Sequence, residues 1–260
     1  TISNLHIQSP YRKAAVFFEI TNSEIKNQAS SALDGNWGMS AVITLVFLLI
    51  YQSPTLPVYI FELNGVLSLF DIIVLLLLPL SFGYFVMFLN LIRGEKLEFV
   101  TLFEGFKDYG RILLTMLLVS IYTFLWAILL IVPGIIKSYS YSQTYFILKD
   151  NPELSYNAAI EESMRMMDGK KMKLFLLDLS FIGWFILSCL TLGIGFLFLY
   201  PYVTASHAVF YEGLKREKYG SIEVLVDSRY DEVVELIDKD EFTSDPLDAY
   251  ENKIFCKGAP

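Results

Sequence analysis

The chain has 260 residues, of which 54% are hydrophobic and 18% charged, against roughly 25% charged in a soluble domain. A globule this apolar has too little polar surface to cover itself, which excludes an ordinary water-soluble fold. The net charge of −8 is uneven, because residues 213–260 carry twelve acids and seven bases, and without a basic face nucleic acid is excluded as a partner.

Residues 1–21 form a polar arm without the basic, apolar, small-residue order of a signal peptide. A short amphipathic helix follows, with Ile25, Ala29, Ala32 and Leu33 on one face and a stop at Asp34-Gly35. The first apolar block covers 37–51. A loop broken by Pro54, Pro57 and Asn64-Gly65 leads to the second block, 67–92. Thr101 and Glu104 have capping-box spacing ahead of Phe106. The third block is 112–132. After Pro133-Gly134 comes a weaker block, 135–148, interrupted by Lys137, Ser138, Ser140, Ser142 and Gln143.

Asn151-Pro152-Glu153 reads as the start of another amphipathic helix, with Tyr156, Ile160, Met164 and Met167 as its stripe and Asp168-Gly169 as its stop. The last two blocks, 174–189 and 193–211, are joined by the turn Leu190-Thr191-Leu192-Gly193. Lys215-Arg216-Glu217-Lys218 closes the final block as an anchor for anionic lipid. Residues 222–237 suit one short element, and 238–260 read as a solvated, disordered tail.

A helix needs about 20 apolar residues to cross the hydrocarbon core; the second and third blocks meet that length, and the others need tilt or local thinning. Charge fixes the topology. If 135–148 crosses or dips back, nineteen of the twenty Lys and Arg lie on one side, and Lys137 alone lies opposite. The positive-inside rule selects that arrangement. The expected fold is therefore all-α: a polytopic bundle of six membrane segments in three hairpins (37–92, 112–148 and 174–211). Residues 22–212 form the membrane domain, 213–260 an acidic cytoplasmic tail, and both termini are cytoplasmic. Pro133-Gly134 is the candidate apex of the second hairpin. The short amphipathic helices suit the interface or packing on the bundle.

Many separated motifs resemble domain of unknown function 975, an uncharacterised family of bacterial, mainly Firmicutes, integral membrane proteins. They are Ile131-Val132-Pro133-Gly134-Ile135-Ile136-Lys137, Ile147-Leu148-Lys149-Asp150-Asn151-Pro152-Glu153, Ala159-Ile160 through Ser163, Met167-Asp168-Gly169-Lys170, Leu179 through Trp184, Thr191 through Gly195, Pro201-Tyr202 and Phe210-Tyr211. Weaker matches are Leu33 through Trp37 and Arg93-Gly94-Glu95. The resemblance spans residues 23 to 213 and implies a cell-membrane protein, but no activity.

Four polar or punctuating features remain as candidates. Asp178 lies about one turn beyond Lys173, and His207 about one turn before Glu212. Antiparallel neighbours would hold them at similar depth, where an acid is costly unless paired. Such a pair suits proton relay or cation binding; snorkelling of Asp178, or pairing with Lys171 or Lys173, is the structural alternative. Asp71 suits a helix start. Lys137 suits an interfacial anchor, a lipid-phosphate contact, or a pair with Asp71 or Glu62. Tyr139, Tyr141 and Tyr145 read as packing or aromatic belt. The two cysteines, Cys189 and Cys256, and two histidines, His6 and His207, have no metal-ligand or disulfide spacing. No catalytic constellation, metal site or cofactor motif is expected. The expected role is a non-enzymatic scaffold or partner in a bacterial envelope complex, surrounded by membrane lipids and contacting another membrane or envelope protein. A transporter or lipid-handling protein is the alternative.

Overall fold

The computed structural model describes residues 20–52, 73 and 75–238, and every regular element among them is helical. It divides into two units. Glu19–Gly213 contains the bundle, and the described part of the other is the helical segment Leu214–Asp238.

Helix α1, Asn22–Leu33, opens on a capping box: Thr21 Oγ1 accepts from the Glu24 amide, and Glu24 Oε2 accepts from the Thr21 amide at 2.7 Å. Its stripe Ile25, Ala29 and Leu33 is buried. Gly35, at φ 76°, stops the helix, and the chain bends by 92° into α2, Trp37–Gln52. Helix α3, Leu78–Ile92, begins with Pro79 in its first turn, where a missing amide proton costs nothing.

The segment after α3, where capping-box spacing suggested the start of a short helix, is 3₁₀ instead. Phe99–Phe106 folds back along α3. A Cβ on Gly83 would lie 2.0 Å from the Leu102 carbonyl oxygen, and one on Gly105 would lie 2.1 Å from that of Pro79. Two glycines thus admit backbone-to-backbone packing that no side chain would allow. The expected capping box does not form, since Glu104 pairs with Lys149 instead.

Helix α4, Tyr109–Leu129, is followed by α5, Ile131–Tyr141, and α6, Thr144–Asp150. The weak block is therefore two helices. Ser163, from α7 (Tyr156–Met166), bonds across the break, donating to Ser140 O at 2.8 Å and accepting from the Gln143 amide at 3.2 Å. Asn151 does not open α7. Its side chain donates to Ile147 O at 3.0 Å and closes α6, while Ser155 holds the N-cap position of α7.

Helices α8, Lys171–Leu179, and α9, Ile182–Leu190, form one broken apolar run, and α10 covers Phe196–Asp238. The short amphipathic helices pack on the body: Ala159, Ile160, Ser163 and Met167 are enclosed on α7 and its exit, as are the three residues on α1, although Tyr156 of the expected stripe is exposed and Met164 is only half-buried. Their placement is that of packed connectors.

Among the described residues two helices have the length and composition to cross a membrane, Tyr109–Leu129 and Lys171–Leu190, or three if α1 and α2 count as one bent span. Six were expected. The difference arises because α3 and α5 are short among the described residues, the α5–α6 run is broken, and the first part of α10 is diluted by Tyr, Ser, Thr and His. The second block before residue 73 lies outside the described residues, as do the first loop and the tail after 238.

A core of Phe82, Val86 and Leu89 from α3, Ile112 and Met116 from α4, Phe146–Leu148 from α6, Ala159, Ala208 and Tyr211 joins these helices. It sits beside the Arg93 end of α3, and so places the polar groups described next.

Candidate functional site

The α9–α10 turn returns the chain so that α10 runs beside α8. Asp178, near the end of α8, then faces His207 on α10, with His207 Nε2 2.6 Å from Asp178 Oδ1. The other carboxylate oxygen accepts from the Tyr139 hydroxyl of α5 at 3.0 Å. Tyr139 also meets the Phe175 ring edge-on. Both side chains of the acid–imidazole pair are partly buried, at 29% and 19% exposure. An ionised carboxylate only accepts, so in a neutral ring Nε2 carries the proton and Nδ1 is left as an acceptor. Three helices are thus tied at one carboxylate.

The structure therefore brings the two sequence candidates together, and Lys171 and Lys173 are not the partners of Asp178. It also adds Tyr139, which the sequence placed in packing or an aromatic belt. Lys26 of α1 arrives one turn away, at the α8–α9 break: its Nζ donates to Ser180 Oγ at 3.3 Å and lies 4.9 Å from the Phe181 ring centre.

A second cluster, unforeseen as a unit, lies at the end of α3. Arg93 Nη2 is 2.7 Å from Asp150 Oδ2, while Nε and Nη2 approach Glu212 Oε1 at 2.9 and 2.7 Å. The buried Tyr211 donates its hydroxyl to Asp150 Oδ2 at 2.9 Å and stacks on Phe146. Burial acts against the Arg93 cation, but its bonds to Asp150 and Glu212 outweigh that, so its pKa is raised and it stays charged throughout the accessible pH range. The cluster fixes the ends of α3 and α6 to α10. Its partners are 57 and 119 residues apart in sequence. The only local signal was an Arg at one helix end with acids at two others.

The remaining candidates stand apart. Lys137 Nζ lies 5.1 Å from the Trp126 ring centre, a cation–π contact that folds the base back against α4. Pro133 and Gly134 occupy the first turn of α5, and the helical break itself falls at Leu130, which is extended at φ −159°, ψ 134°. Gly134 serves close approach: a Cβ there would meet Ala127 Cα at 2.7 Å. Asp71 and Glu62 lie outside the described residues. Among the described residues no group of three or more His, Cys, Asp or Glu is arranged to hold a metal.

A family model described as Protein of unknown function (DUF975) matches residues 20–137 and 127–218. No curated protein and no solved structure matches the chain.

Proposed function

The chain belongs to the DUF975 family, and from that premise we propose that it is a non-enzymatic membrane protein that acts as a scaffold or partner within a bacterial envelope complex. One observation carries the reading. The polar groups of the body are spent on one another across helices, Arg93 with Asp150 and Glu212, His207 with Asp178 and Tyr139, whereas its outward face is apolar along α4 and α9. Between helices surrounded by lipid, apolar contact alone supplies little attraction, so hydrogen bonds and close packing must hold the body together. That arrangement suits a rigid frame presented to another membrane protein. In this reading all six apolar blocks lie in the bilayer, the shorter ones as tilted or broken elements, with both termini cytoplasmic.

A second reading, transport or lipid handling, is favoured by the α8–α9 break, where Lys26 meets Ser180 two residues from Asp178. Interrupted helices line substrate sites in many transporters. Native mass spectrometry of gently extracted protein separates the two. A co-purifying protein at fixed stoichiometry is the expected result, and a retained lipid or solute without such a protein would favour the second reading instead.

A further inference from the structure

The turn between α9 and α10 is unlike a loop in water in three independent respects. The first is composition. No Asp, Glu, Lys or Arg occurs between Asp178 and Glu212, and the turn projects Leu190, Leu192 and Ile194 at 75%, 95% and 64% exposure. The second is backbone. Leu192 has φ 54°, the one non-glycine residue with positive φ among the described residues. That region is strained for an ordinary side chain and is the usual place for Gly, Asn or Asp in a solvated turn. A leucine there, fully projecting, opposes both backbone preference and water.

The third respect is hydrogen bonding. Every backbone amide from Thr191 to Leu199 has an internal acceptor. Thr191 donates to Leu187 O, Leu192 to Cys189 O, Gly193 to Ser188 O and Ile194 to Thr191 O, and Phe196 through Leu199 donate to carbonyls of Gly193, Ile194 and Gly195. The remaining amide, Gly195, donates to Thr191 Oγ1 at 3.0 Å, while that hydroxyl donates to Ser188 O at 2.9 Å. The bareness of Gly195 lets the strands of the turn close, since a Cβ there would meet Ser188 Cα at 2.7 Å. Water would satisfy such amides without this arrangement; hydrocarbon would not, and each unmet group there costs several kcal/mol.

We propose that this turn is a lipid-inserted tip, with Leu190, Leu192 and Ile194 held among acyl chains of the far leaflet. The 20 residues Lys171–Leu190 rise about 30 Å, the thickness of the hydrocarbon core. That length just reaches the far boundary, so the turn lies at the end of the hydrocarbon core, and α9 and α10 join without a polar loop. The inference rests on the membrane reading given above and names the lipid chain as the partner of this surface.

The test uses the full chain with Cys189→Ala and Cys256→Ala, reconstituted in vesicles of phosphatidylglycerol and phosphatidylethanolamine. A nitroxide is placed at Leu192→Cys or, in a second protein, at Ile186→Cys within α9, and its collisions with oxygen and with a water-soluble nickel chelate are measured. The expected result at 192 is ready access to oxygen with nickel collisions at least about tenfold below those of a label on Cys256 in a reference protein that carries Cys189→Ala alone. Nickel access at 192 with none at 186 would overturn the tip and leave the membrane reading standing. Nickel access at both would overturn the membrane reading itself. Shielding of 192 from both reagents would mean that protein, not lipid, covers the turn, and would also overturn the proposal.

Discussion

Asp178 ties three helices together, because its two oxygens are engaged from two other helices. Asp178→Asn strips the charge and weakens both bonds, whereas His207→Gln leaves Asp178 with Tyr139 alone. A partly buried carboxylate left short of partners is destabilising, so each change should lower stability in detergent. Because they remove the same contact, the double variant should cost less than the two single costs together, with a coupling of about 1–2 kcal/mol. A thermal-unfolding cycle on the purified protein measures it, and strict additivity would show that the contact contributes nothing. The sequence made this pair legible through two local facts, an acid and an imidazole each one turn from a charged helix end. Tyr139 was not legible, because nothing in a Tyr-Ser-Tyr run says which hydroxyl turns toward a carboxylate 39 residues away. Arg93 with Asp150 and Glu212 was hidden for the same reason at greater range.

At the scale of elements, breakers told where helices end more reliably than why. Asp34-Gly35 and Asp168-Gly169 end α1 and α7, with Gly35 and Gly169 at φ 76° and 71°, as Gly after a last turn leads one to expect. Asn151 and Thr101 misled, because a capping residue has the same appearance whether it closes one helix or opens the next, and tertiary pairing of Glu104 with Lys149 overrode the local motif. Gly134 was read as part of a hairpin apex, yet it lies within α5, where it lets that helix approach Ala127. Gly134→Ala should therefore cost about 1–3 kcal/mol through overpacking against backbone. Gly183 of α9 is the control: a Cβ there meets nothing within 4 Å, and Gly183→Ala should be neutral or stabilising by the helix preference for alanine. Melting temperatures of the two variants in one detergent decide between close packing and simple helix propensity. If both variants behave alike, Gly134 is not a packing residue.

For the whole molecule, apolar content pointed to membrane helices, and two or three candidate spans are present among the described residues, but counting blocks overstated how many helices have full spanning length. Hydropathy averages over Ser142-Gln143 and Ser180-Phe181, where the chain actually breaks, and says nothing of a 3₁₀ segment folding back on Gly83. Charge gives the stronger constraint on topology, because it depends on parity and not on the number of segments. The bases at 93–111, at 149–173 and after Tyr211 can share one side only if the chain crosses an even number of times between each group. An odd crossing between any two groups would put at least four bases on the translocated side. An impermeant thiol reagent on intact cells should therefore spare Cys256 and label a cysteine introduced as Asn64→Cys, in the Pro- and Gly-broken connection between the first two blocks. After the cells are opened, Cys256 should react as well. Labelling of Cys256 from outside would reverse the orientation or break the parity, and labelling of both positions from outside would single out the parity, since residue 64 and the tail would then share the outer face.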